Sequence, residues 1–196
     1  MHAELAREAC RAGVRWIQLR TKAASEQAKR EAALATQEVC QAYNATLIID
    51  DYVGIAKDIE ADGVHLGKED MHPGKARSIL GDHAIIGGTA NTFEDIQNLS
   101  HQPIDYIGCG PYRITQTKQK LSPVIGLEGY QKLMQQCHEV NIQLPIIAIG
   151  GIQVEDVDLL LGTGLQGLAV ASAINKSQNR VEAATKFVQA IQVGSK

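Results

Sequence analysis

The sequence of 196 residues has no apolar run near the roughly 20 residues that cross a bilayer, which excludes a membrane-spanning helix. It has no cationic surplus. The 19 Lys and Arg stand against 22 Asp and Glu, a net charge of −3, which excludes the basic surface of a nucleic-acid binder. Its four cysteines, Cys10, Cys40, Cys109 and Cys137, show neither CxxC nor Cys/His metal spacing. Reduced thiols in a cytoplasmic protein are the expectation. The opening "MHAELAREACRAG" reads as a charged helix and not as a secretory leader. No linker, low-complexity tract or fixed-period repeat interrupts the chain. A single domain over residues 1–196 is expected, long enough to bury a real core. Nor is there an obvious Ser, Cys or His constellation for covalent catalysis.

What is there is an alternation. Seven short β-branched runs appear: "VRWIQLR" (14–20), "TLIID" (46–50), "GVHLG" (63–67), "AIIGGT" (84–89), "DYIGCG" (105–110), "PIIAIG" (145–150) and "GLAVAS" (167–172). Helix-like stretches separate them: 26–43, 52–60, 73–80, 92–99, 127–140 and 153–161, with 181–193 closing the chain. Pro73 stands near a helix start, and "NTFED" supplies an N-cap followed by acids. Strand alternating with helix predicts βα units around a parallel sheet. An open doubly wound sheet and a closed barrel compete. Seven strands preceded by a helix suit a (β/α)8 TIM barrel whose first strand is absent, with the eighth strand expected upstream of Met1. A gap of that kind leaves an edge that something must cover.

In such a barrel the chemistry gathers where strands end. Gln18, Arg20 and Lys22 alternate along the first run, and a period of 2 sets them on one face. The second run ends in Asp50 and Asp51, and the third leads to Asp70. The fourth ends in Thr89 and Asn91, and the fifth leads to Thr115, Thr117 and Lys118. The sixth ends in Gly150 and Gly151, the seventh in Ala171 and Ser172. Two acids on neighbouring loops suit Mg²⁺, which takes one or two carboxylates together with substrate phosphates. The cations around them suit a diphosphate. Backbone amides at Gly151 and Ser172 suit a second phosphate. Two anion sites, one with a metal, predict two phosphorylated small-molecule substrates, with neither nucleic acid nor membrane as partner. A homo-oligomer is left open. His65 is expected to be a packed, hydrogen-bonded barrel residue, and Trp16 and Tyr106 core or helix-facing.

The stretches "GVRWIQLRTK" (13–22), "LIIDDY" (47–52), "ADGVHLGKEDM" (61–71), "IIGGTANT" (85–92), "DYIGCGPYRITQTK" (105–118), "GLEGY" (126–130), "PIIAIGGI" (145–152) and "GLAVASAI" (167–174) run through nearly the whole chain. Their order and content resemble the thiamine phosphate synthase family of (β/α)8 barrels, whose first strand has no counterpart here. The resemblance implies joining a hydroxymethylpyrimidine diphosphate to a thiazole phosphate, releasing diphosphate. It implies Gln18, Arg20, Lys22, Asp50, Thr89 and Lys118 as ligands of the pyrimidine diphosphate, with Arg20 and Lys118 acting electrostatically as the catalytic groups. It implies Asp51 and Asp70 as Mg²⁺ ligands. Thr115, Gln116, Thr117, Gly151, Ala171 and Ser172 would hold the thiazole phosphate. Such chemistry needs charge stabilisation and alignment, not a protein nucleophile. The chain departs from the family with Asp50 in place of Asn, Thr89 where Ser is frequent, and Asn91 where His is frequent. A thiazole tautomerase-like barrel and a non-catalytic barrel binding a thiamine precursor are the alternative readings.

Overall fold

The computed structural model of the chain describes residues 1–21, 24–114 and 123–194. Helix α1 (His2–Arg11) leads into β1 (Trp16–Leu19). Then follow α2 (Glu26–Ala42), β2 (Thr46–Asp50), α3 (Val53–Asp58), β3 (Gly63–Leu66), α4 (Pro73–Leu80), β4 (Ile85–Ala90), α5 (Phe93–Ser100) and β5 (Tyr106–Cys109). The second half holds α6 (Gly126–Glu139), β6 (Ile146–Ile149), a 3-10 turn at Val154–Asp156, α7 (Val157–Leu161), β7 (Gly167–Ala169), α8 (Ser172–Asn175) and α9 (Arg180–Gly194). All seven strands lie parallel in the order in which the chain makes them.

Local chemistry sets the helix starts. Ser25 Oγ accepts from the Ala28 amide at the head of α2. Thr92 and Asp95 form a reciprocal capping box at α5, as the "NTFED" stretch predicts. Pro73 opens α4, where its missing N–H has no intrahelical partner to lose, and His72 Nδ1 accepts from Gly74. The strands separate two faces by period 2. Leu47, Ile49, Val64, Leu66, Ile86, Ile107, Cys109, Ile146 and Ala148 are buried in the main apolar core. The alternate positions, among them Gln18, Asp50, His65, Thr89 and Tyr106, face the other way and touch one another.

That second face is an interior. Trp16 on β1 meets Tyr106 on β5 edge to face, with ring centroids 5.6 Å apart, although these strands are not neighbours in the sheet. The sheet therefore curls into an incomplete barrel. The barrel expectation holds, in its seven-stranded form. The outermost strands β1 and β7 each have one sheet neighbour. Trp16, expected to be core or helix-facing, stands 47% exposed on one of those outer strands. The run 46–50 coincides with β2, the run 84–89 is displaced by one residue from β4, and the others extend one to three residues beyond the observed strands. The short helix α8 was not anticipated.

Candidate functional site

The register across the sheet aligns one row of residues: Asp50 with His65, His65 with Gly87, and Gly87 with Tyr106. Gln18 Nε2 donates to Asp50 Oδ1 at 3.0 Å, and Arg20 Nε lies 3.0 Å from Asp50 Oδ2. Asp50 is thus buried but charge-compensated. One carboxylate gathers the side chains of Gln18 and Arg20, which come from β1 and the residue after it. Asp50 caps no helix; α3 starts after Tyr52 without a side-chain cap.

Asp51 turns the chain out of β2 with φ 69°, a left-handed conformation that Asp tolerates better than most residues. Its amide donates to the His65 carbonyl at 2.9 Å. Asp70 Oδ2 accepts from the Gly67 amide at 2.6 Å, just beyond β3. A Cβ at Gly67 would stand 2.6 Å from Asp70 Oδ2 and 4.0 Å from Asp51 Oδ1. Both carboxylates therefore border the position that a side chain at Gly67 would take, and its absence leaves that position clear. Among the described residues no group of three or more His, Cys, Asp or Glu gathers as a metal cage. Two hard oxygen donors beside open space fit Mg²⁺, which keeps waters and takes further oxygens from phosphates.

Thr89 on β4 is half-buried, and its Oγ1 lies 2.9 Å from His65 Nε2. His65 Nδ1 lies 3.0 Å from the Tyr106 hydroxyl. His65 is 7% exposed and hydrogen-bonded, as its mid-strand position predicts. Burial, and secondarily the charge of Asp50, push the Tyr106 hydroxyl pKa well up, so the phenol keeps its proton. Asn91 Nδ2 donates to the Gly110 carbonyl, and its amide donates to Asp95 Oδ2 at 2.8 Å. Asp95 is held by Lys68 at 2.5 Å.

On the far side of the barrel, Gly150 and Gly151 adopt φ 92° and 75°, backbone that L side chains rarely take. Space forbids side chains there too: a Cβ would meet Pro111 Cβ at 2.7 Å from Gly150 and Arg113 Cβ at 2.9 Å from Gly151. Arg113 Nη1 donates to the Gly151 carbonyl at 3.2 Å. The same guanidinium pairs with Asp156 through both amino groups, Nη2 to Oδ1 at 2.6 Å. Asp156 also accepts from the Gln153 amide at 2.8 Å and from the Tyr112 hydroxyl at 3.4 Å. Ala171 and Ser172 follow β7, with Ala171 the N-cap of α8.

The structure brings Gln18, Arg20 and Asp50 together, sets Asp51 and Asp70 beside the space at Gly67, and puts Thr89 on the interior face with His65. Lys22, Thr115, Gln116, Thr117 and Lys118 lie outside the described residues. Sequence reasoning missed Asp156 and Arg113 as a fixed pair, and it missed the contact of Tyr106, expected to be core or helix-facing, with His65. Arg113 and Asp156 are 43 positions apart, and only the fold reveals the contact. Tyr106 shares the period-2 face of Gly108, a signal that was available. The four cysteines are free and buried. Burial pushes Cys40 and Cys109 up to about 12, so neither supplies a thiolate.

A profile of the family described as thiamine monophosphate synthase matches residues 1–174. The chain is 49% identical over 181 residues to a thiamine-phosphate synthase of Bacteroides fragilis, covering 92% of this chain and 89% of that one. It is 48% identical over 181 residues to a thiamine-phosphate synthase of Flavobacterium psychrophilum, covering 92% and 88%. In structure it superposes on a thiamine phosphate pyrophosphorylase from Pyrococcus furiosus with a TM-score of 0.88 at 30% identity, over 99% of this chain and 91% of that one. Orotidine 5'-phosphate decarboxylase from Pyrococcus horikoshii, at 13% identity and a TM-score of 0.68, shares the fold alone.

Proposed function

The chain belongs to the thiamine monophosphate synthase family, an enzyme family whose condensation gives thiamine phosphate, and from that premise we propose how its residues carry the reaction. The substrates are 4-amino-2-methyl-5-hydroxymethylpyrimidine diphosphate and a thiazole phosphate. The observation that carries this reading is that Asp51 and Asp70 both border the space left clear at Gly67, while Asp50, next to Asp51 in the chain, holds Arg20.

Gln18, Arg20, Lys22, Thr89 and Lys118 hold the pyrimidine diphosphate, with Asp50 fixing the first two. Asp51 and Asp70 hold Mg²⁺, which when bound would offset negative charge on the diphosphate. Thr115, Gln116 and Thr117, with backbone at Gly151, Ala171 and Ser172, hold the thiazole phosphate. The aminopyrimidine releases electrons toward its methylene carbon as the C–O bond to diphosphate breaks. The thiazole nitrogen then donates its lone pair to that carbon, and the new C–N bond completes thiamine phosphate. Arg20 and Lys118 stabilise the charge that grows on the departing diphosphate. The barrel aligns the two rings, so that capture is effectively intramolecular. No side chain has to act as nucleophile, which agrees with protonated, buried thiols at Cys40 and Cys109.

The test is a product assay. The purified chain is incubated with both substrates and Mg²⁺, with an EDTA control. Metal-dependent thiamine phosphate and diphosphate in equal amounts is the expected result. Product that persists in EDTA removes the metal role of Asp51 and Asp70. No product from folded protein that binds both substrates overturns the catalytic reading.

A further inference from the structure

Tyr106, His65 and Thr89 form a hydrogen-bonded chain across the barrel interior, and its polarity can be worked out. Strands β3 and β5 are separated by β4, so His65 and Tyr106 meet over the inner face of the strand between them. They can do so because Gly87 carries no side chain; a Cβ there would fall 2.6 Å from His65 Nδ1 and would also run into the Tyr106 ring. Gly108 clears the other flank, where a Cβ would stand 2.8 Å from His65 Cε1. The two glycines build the space for this chain of rings and hydroxyls.

A neutral imidazole donates from one nitrogen and accepts at the other. The Tyr106 phenol keeps its proton, and among the described residues its hydrogen-bond partner is His65 Nδ1. A partly buried O–H that gave its proton to nothing would be costly. Tyr106 therefore donates to Nδ1. The ring proton of His65 then sits on Nε2 and is donated to Thr89 Oγ1 at 2.9 Å. Thr89, having accepted, keeps its own O–H to give, on a half-buried side chain facing the interior.

We propose that Tyr106 and His65 are positioning residues that fix the Thr89 hydroxyl as a hydrogen-bond donor toward a ring nitrogen of the aminopyrimidine. An aminopyrimidine offers ring nitrogens as acceptors and its amino group as donor. A committed donor recognises the former, and the carboxylate oxygens of Asp50 lie on the same face for the latter. The inference rests on the assignment of Thr89 to the pyrimidine site made above.

Two measurements test it. The first is a long-range ¹H–¹⁵N correlation spectrum of histidine-labelled protein without substrate, with His65 assigned by its loss in His65→Asn. The expected tautomer has Nε2 protonated and Nδ1 bare. A protonated Nδ1 overturns the relay whatever the substrate is. The second is a double-mutant cycle on the dissociation constant of pyrimidine diphosphate, by calorimetry without the thiazole partner. Tyr106→Phe and Thr89→Val are each expected to weaken binding roughly three- to tenfold. The double variant should be no weaker than Thr89→Val alone, and Thr89→Ser should retain affinity. Multiplying effects make Tyr106 a packing residue and overturn the proposal. Unchanged affinity in Thr89→Val instead removes Thr89 from the pyrimidine site, a failure of the underlying assignment that the spectrum separates from failure of the relay.

Discussion

Asp50 is an acid at the mouth of a barrel whose proposed substrate carries a diphosphate. In the fold its two oxygens are taken by Gln18 and by Arg20, so its charge is matched locally. The same pairing draws on Arg20, which the proposed mechanism also assigns to the diphosphate. Asp50→Asn keeps an oxygen for Gln18 and releases the guanidinium. The expected outcome is a KM for pyrimidine diphosphate lower by roughly threefold, since a partly exposed ion pair of this kind contributes at most about 1 kcal/mol. Initial rates at saturating thiazole phosphate read this directly, and a higher KM would mean that Asp50 preorganises Gln18 and Arg20. Gly67 gives a second residue-scale prediction. Its φ is not in the left-handed range, so Gly67→Ala leaves the backbone unstrained, but the added methyl reaches into the Asp70 carboxylate. The Mg²⁺ concentration for half-maximal activity should rise about tenfold or more, with an unchanged melting temperature. An unaltered Mg²⁺ titration would argue that the two carboxylates do not share a metal.

At the scale of elements, the residues after β5 and the 3-10 turn after β6 are tied by Arg113 and Asp156. The hydrogen-bonded guanidinium of Arg113, opposed by desolvation and assisted by the Gln153 amide, holds the Asp156 carboxyl below its ordinary value. The unfolded chain therefore takes up this proton first. The pair's contribution is fully present above the ordinary carboxylate value near 4 and is lost as pH falls through the lower folded value. Asp156→Asn should be about 1–2 kcal/mol less stable than the parent at pH 6, with Arg113 half in solvent. Melting temperatures of the two proteins should converge by about pH 2–3; a constant gap down to that pH would contradict the pairing. Neither partner was singled out from sequence, because the contact joins two different βα units. What the sequence did carry is set by local physics. β-branched runs ending in polar residues announce strands and their functional ends. The Thr92–Asp95 box announces a helix start. Asp50, Asp51 and Asp70 stand out from their strand ends alone, while the choice of Asp51 and Asp70 rests on the resemblance. That Gly67 leaves clear the position they both border, or that Tyr106 reaches His65 over Gly87, depends on how strands curl around an interior. Period 2 gives the face of a residue but not what lies opposite.

The described residues form a curled sheet of seven parallel strands with β1 and β7 as its edges. Stability should therefore be graded across the sheet. Central strands are covered on both sides and paired along both edges: Ile48, Val64, Ile86 and Ile107 have no exposed surface. Gln18 and Ala169, on the two edge strands, are exposed. Backbone N–H groups on an edge that lack a neighbour exchange through local opening and not through global unfolding. Hydrogen exchange should be slowest in β3, β4 and β5 and faster by orders of magnitude in β1 and β7. The chain's one tryptophan supplies an independent probe, since Trp16 lies on β1 and is 47% exposed beside Tyr106. Acrylamide should quench its fluorescence efficiently in the native protein, with little further gain on unfolding. Strong native protection of Trp16, together with slow exchange in β1 and β7, would mean that another chain or a second copy covers this edge in solution.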